Sequence, residues 1–276
     1  MRNSKMLFAQ MDGKKSMVGK NIGLAGMLKQ NGINVQMLHC IIHQQALCGN
    51  IMGLSCTMST VIKITNAIRG GNRALTHRKF KQFLEELKVE YGDLLLHSQV
   101  RWLSAGKCLK RFFQLRQEIK LFLMETELDS SLIASFNEKT FIISLAFLAD
   151  ITEYLNVLNK NLQGKDQNIT HLVSHIVGFR NKLRLLRSHL INNNVLYFAC
   201  CNELAIEIQE TGQRLNLKDY IPMLDKLVED FDARFSDFDK IKPELKIFNN
   251  PTTIDDEETD AKYHMELCEL QADGIY

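Results

Sequence analysis

From about Cys48 onward the apolar residues of this chain recur with a period near 3.6, and very little interrupts them. The 276 residues include only three prolines. Proline is the residue that most reliably breaks a helix, so long helices can run unbroken. Apolar side chains at i, i+3, i+4 and i+7 line one face of a helix, and that face must be buried. The spacing predicts helices over 58–68, ended by Gly70-Gly71, and over 76–91, closed by Gly92-Asp93. A third begins with Ser104 as N-cap and runs to about 126, with Cys108, Phe112, Leu115, Ile119 and Phe122 as its stripe. A fourth covers about 137–162 on Phe141, Leu145, Leu148, Leu155, Leu158 and Leu162, and Gly164 breaks it. A fifth places Leu172, Ile176, Phe179, Leu183, Leu186 and Leu190 on one face, stopping at Asn192-Asn193-Asn194. A sixth, about 217–238, buries Ile221, Leu224, Leu227, Phe231 and Phe235. Such helices joined by short polar loops make a bundle.

The first fifty residues read differently. Residues 5–11 form a short apolar run that stops at the turn dipeptide Asp12-Gly13. Ile22, Leu24, Met27 and Leu28 recur at helical spacing, and Asn31-Gly32 supplies a stop, since both residues tolerate the left-handed conformation. A second apolar run follows at 35–38. Strand, helix and strand in this order predict a parallel crossover unit, with Asp12 beyond the end of the first strand. The expected fold class is therefore mainly α with a small α/β part. Its divisions are an α/β segment at 1–50, a helical domain at 51–240, and a linker with a short terminal helix at 241–276. Met265, Leu267 and Leu270 mark that last helix.

An apolar fraction of 45% and a charged fraction of 24% fit a folded globular chain. The formal net charge of +2 says little about partners, but basic residues outnumber acidic ones between Arg69 and Arg116, and 229–260 is acid-rich. Seven cysteines without a framework spacing, and no secretory leader, predict an intracellular protein with reduced thiols. The longest apolar run, 141–149, is shorter than the roughly 20 residues a membrane span needs.

Several motifs fall in one order: Met11-Asp12-Gly13, SMVGK at 16–20, GLAGMLK at 23–29, HCIIHQ at 39–44 and VRWLS at 100–104. Together they resemble the middle of a hAT-superfamily transposase. The nearest forms are the domesticated vertebrate ones, among them the BED-type zinc finger proteins and proteins with general transcription factor II-I repeats. The resemblance runs from about Leu7 to the end of the chain. It implies a partial RNase H-like core, strand–helix–strand, followed by a large helical insertion. It also implies three acidic residues holding two divalent metals that clamp an in-line phosphoryl displacement. Asp12 matches the second of them; the first is expected before residue 1 and the third beyond the insertion. Met11, Lys14 and Lys15 depart from the family's small residues around that aspartate, and two lysines would compete with a cation. Asp12 is therefore read as a remnant, a turn residue at a strand end. No catalytic residue and no cofactor are expected, and Mg²⁺ enters only if a longer chain supplies the missing acids.

Cys40 and His43 form the family's Cys-x-x-His motif. Zinc ligation would need four ligands in two close pairs, so a packing role is preferred. Arg101 and Trp102, the latter the only tryptophan, are the DNA-binding candidates. The resemblance implies that the tryptophan stacks on DNA flanking a cleavage site and that the arginine faces phosphate. The alternative is that Trp102 plugs the interface between sheet and bundle. His171 and His175 stand four apart without a third ligand, and nothing near Cys200-Cys201 activates a thiol. The expected function is a catalytically inactive, transposase-derived nuclear protein, with some cytoplasmic presence compatible. It binds DNA, protein partners, or both; homo-oligomerisation is compatible with this and membrane association is not expected. The alternatives are a fragment of an active transposase and a generic helical interaction domain.

Overall fold

The computed structural model describes residues 8–11, 23–32, 36–39, 55–70, 73–95, 102–126, 128, 130–164, 168–240, 242–255 and 259–273. In chain order its elements are β1 (Phe8–Met11), α1 (Leu24–Gln30), β2 (Gln36–His39), α2 (Ser55–Arg69), α3 (Ala74–Glu86), α4 (Trp102–Gln114) and α5 (Arg116–Thr126). There follow α6 (Ser130–Asn137), α7 (Lys139–Leu162), α8 (Ile169–Ile191), α9 (Ala199–Glu210), α10 (Ile221–Lys240), α11 (Lys242–Asn249) and α12 (His264–Asp273). Short 3₁₀ turns, Lys218–Tyr220 and Ala261–Tyr263, lead into α10 and α12.

The expectation of a partial RNase H-like core is corrected here. Among the described residues the only sheet is a two-stranded parallel pairing of β1 with β2, four residues each, in register from Phe8↔Gln36 to Met11↔His39. Two strands this short cannot form the multi-stranded, double-faced layer such a core requires. Everything else described is helix, turn or irregular chain, so the fold is mainly α. In α1 the apolar spacing also misleads, because Leu24 and Met27 are exposed while the small Gly23 and Gly26 are buried.

The chain divides into two compact units: one takes in 1–45, 161–180 and 229–276, the other 46–160 and 181–228. The sequence-based boundaries at 50 and 240 divide it differently. In the second unit the predicted stripes are buried. Cys108, Phe112, Leu115, Ile119 and Phe122 are all covered, as are Phe141, Leu145, Leu148, Leu155 and Leu158. Aromatic pairs fill this core: Phe80 meets Phe122 edge-on with ring centres 5.0 Å apart, and Phe147 lies 4.6 Å from Tyr220. In the first unit Phe179 packs on Phe231 at 5.0 Å, and Phe235 and Phe238 continue the row. Arg180 crosses that row to bond Asp232 at 2.6 Å and Asp239 at 3.0 Å. α7 is long and apolar enough to cross a bilayer by length and composition, although 141–149 alone is not. Two thirds of its most apolar window (67%) is buried inside the structure, as in a core helix.

Helix ends show where local chemistry decides. α8 stops as predicted: Asn193 adopts φ 50°, with Asn194 N–H bonded to the His189 carbonyl at 2.8 Å and Asn193 N–H to that of Leu190 at 2.9 Å. This is a Schellman closure, and asparagine suits its left-handed position. α3 ends five residues before the predicted limit by the same closure. Lys88 takes φ 51°, and Val89 N–H reaches the Leu84 carbonyl at 3.2 Å. The predicted third helix is divided at Leu115 into α4 and α5. It also begins at Trp102, so Ser104 lies inside α4 and is not its cap.

Candidate nucleic-acid interface

Among the described residues of the second unit, Asp93 is the centre of a heavily bonded polar cluster. The end of α3 releases the chain into a segment without regular secondary structure, 91–95, and side chains of three helices converge on it. Arg69 at the end of α2 approaches the Asp93 carboxylate at 3.2 Å and also donates to the Leu94 carbonyl. His77 of α3 places Nε2 at 2.9 and 3.0 Å from the two carboxylate oxygens. Lys81, one turn on, stands at 3.9 Å. The carboxylate also accepts from the Leu94 N–H at 2.8 Å, which fixes its own backbone. Within the basic stretch seen in the sequence, one acid thus takes up an arginine, a lysine and a histidine ring.

Other basic groups remain outward. Arg73, Arg78, Lys79, Lys88 and Lys107 are exposed, and no ion pair engages them among the described residues. Arg116 is different: it is buried, lies over the Phe113 ring at 4.0 Å, donates to the Phe113 carbonyl at 2.8 Å and pairs with Glu203 and Glu207 of α9. It serves the core.

Trp102 is the first residue of α4, seven positions beyond the clamped segment. Its side chain, all of Arg101, and Asp12, Cys40 and His43 lie outside the described residues. His171 and His175 lie on α8, the first exposed and the second half-buried. Among the described residues no group of three or more His, Cys, Asp or Glu side chains is disposed to hold a metal ion.

Two features escaped the sequence reading. One is the Asp93 cluster. The other is Asp150, buried in α7, whose oxygens accept the N–H groups of Cys200 and Cys201 at 2.9 and 3.0 Å and so close the N-terminus of α9. Burial pushes the Asp150 carboxyl above its usual range, while the two amide bonds pull it back in part. Burial, then the Asp150 charge, pushes both neighbouring thiols far up, so neither is a nucleophile at neutral pH. Beside them Tyr154, Val157 and Tyr197 line a small cleft of about 160 Å³ with Lys110 and Glu153 also contributing. The local signal for both acids is weak, because their partners are 12 to 51 positions away in sequence.

A model of the FAM200/GTF2IRD2 helical domain matches residues 39–191. General transcription factor II-I repeat domain-containing protein 2 of Bos taurus is 33% identical over 278 residues, covering 99% of this chain and 28% of that protein. Its Mus musculus counterpart is 32% identical over 280 residues, with the same coverage. The chain thus spans about 28% of the length of these curated relatives. No solved structure matches. The resemblance read from the motifs is met: the chain belongs to the FAM200/GTF2IRD2-like family, a transposase-derived family whose matched part is a helical domain.

Proposed function

We propose that this chain is the non-catalytic helical portion of a hAT-transposase-derived nuclear protein, and that it presents a basic surface bearing Arg101 and Trp102 to DNA. The observation that carries the reading is the clamped segment 91–95, which leads to the helix start at Trp102 in a unit where Arg73, Arg78, Lys79, Lys88 and Lys107 are exposed without an ion pair among the described residues. Lysines and arginines supply salt-dependent affinity for phosphate, and an indole supplies a stacking platform. At Asp12, which matches one of the acids a metal-dependent transposase uses, Lys14 and Lys15 stand two and three positions on and would compete with a cation. That argues for binding without strand cleavage. The relatives, named for general transcription factor II-I repeats, support a nuclear setting. Protein partners and self-association belong to the same reading, and light scattering on the purified chain tests the latter.

The test is fluorescence anisotropy of a labelled duplex and a hairpin-ended DNA across a salt series, with the wild type beside an Arg101→Ala, Trp102→Ala double variant. Affinity should fall steeply with salt. The variant should lose about 1–3 kcal/mol for the stacked base alone. Absence of binding at low salt, or equal binding by the variant, would make Arg101 and Trp102 structural and end the DNA reading.

A further inference from the structure

Two side chains of α4 reach back to segment 91–95, which precedes it. Cys108 Sγ donates to the Leu95 carbonyl at 2.9 Å, and Arg111 Nη1 donates to the Asp93 carbonyl at 3.0 Å. The Arg111 guanidinium also lies 4.2 Å from the centre of the Tyr91 ring, and Gln114 donates to the Tyr91 hydroxyl at 3.0 Å. From α2, Arg69 donates to the carbonyl between them, that of Leu94. Three consecutive carbonyls are therefore each held by a side chain. Apolar packing alone would leave the segment free to slide; hydrogen bonds to successive backbone groups set its register against α4. Cys108 and Arg111 lie six and nine residues beyond Trp102, about 9 and 14 Å along the helix axis. The Cys108 thiol is buried, which pushes it up to about 11, so it stays protonated and remains a donor across the neutral range.

We infer that Asp93, Cys108 and Arg111 are positioning residues: they fix α4, and with it Trp102, in one register against segment 91–95. The consequence for DNA rests on the function proposed above; the statement about Trp102 does not. A stacking ring contributes fully only when its place is set before the base arrives, because the entropy of ordering it is then already lost.

Trp102 is the sole tryptophan, so the anisotropy of its emission reports its local mobility without a label. Cys108→Ala and Arg111→Met each remove a donor, and Cys108→Ser returns one. Circular dichroism checks folding, and Cys108→Val, which retains volume without a donor, replaces the alanine variant if that does not fold. In the donor-less variants the emission anisotropy should fall, and affinity for the labelled hairpin-ended DNA should drop about three- to tenfold. Cys108→Ser should restore both. Unchanged emission anisotropy in the folded variants overturns the positioning role. Lower emission anisotropy with unchanged affinity, in a protein that binds DNA, overturns its link to recognition. If the wild type binds no DNA, the function proposed above fails, while a fall in emission anisotropy still supports the positioning role.

Discussion

Replacing Asp93 with alanine should loosen the second unit at one identifiable point. The carboxylate is about one-fifth exposed (21%), and Arg69 and His77 beside it are exposed to 26% and 24%. A hydrogen bond to a charged group contributes about 1.5–3 kcal/mol when sheltered, and solvent at this exposure holds both partners to the lower end. Lys81, at 3.9 Å and nearly half exposed, adds at most a few tenths of a kcal/mol. The bond to Leu94 N–H adds about 1 kcal/mol. Arg69 retains the Leu94 carbonyl after the substitution, so the losses do not add fully, and the expected destabilisation is about 2–3 kcal/mol. In a chain of this size that lowers the melting temperature by about 3–6 °C. Urea and thermal unfolding followed by circular dichroism at neutral pH measure it. Asp93→Asn, which preserves an acceptor for Leu94, should lose less. A double-mutant cycle with His77→Ala should show coupling of about 1 kcal/mol. If Asp93→Ala unfolds within about 0.5 kcal/mol of wild type, or the cycle shows no coupling, the cluster is a surface arrangement and the reasoning fails.

Other substitutions examine separate parts of the argument. Lys88→Gly should stabilise by about 0.5–1 kcal/mol, because it relieves a left-handed residue at the close of α3; urea unfolding reads the sign. Asn193→Ala should do the reverse, by about 2–3 kcal/mol, since Asn193 also donates to the Leu215 carbonyl at 2.8 Å and accepts from Leu217 N–H at 3.2 Å. Gly106→Ala would set a methyl group 2.2 Å from Asn156 Nδ2, where α4 meets α7. Thermal melts should show a net loss of about 1–3 kcal/mol despite alanine's better helix propensity. For Asp150 the folded carboxyl titrates above its ordinary value of 3.8, so its stabilising contribution is present below that value and is lost as pH rises through the folded one. Unfolding free energies measured from pH 3 to 7 should therefore show wild type losing ground to Asp150→Asn as pH rises, and a flat difference would refute the shift.

The periodic part of this chain was open to direct reading because a buried helix face repeats locally. All six residues from Leu172 to Leu190 assigned to one stripe are buried, and the Asn192-Asn193-Asn194 stop is where α8 ends. The same reasoning overshot α3, whose end depends on a lysine in a conformation that lysine rarely takes, and it missed α9 altogether. In α9 only Cys200, Cys201 and Leu204 are buried, whereas Ile206 is exposed, so no long stripe announces it. The two apolar runs near the start do pair as strands, but the core inferred around them needed more strands than the described residues contain.

By itself, then, the sequence determined a mainly helical protein of transposase descent, with helix faces, most stops and a basic stretch in place, because these depend on neighbours within a turn or two. Tertiary structure decided which charges are used up and which remain. Asp93 gathers Arg69, His77 and Lys81 from two helices, and Asp150 closes a helix some fifty residues away. Such pairings follow from how helices pack against one another, a matter of three-dimensional proximity that no local period encodes.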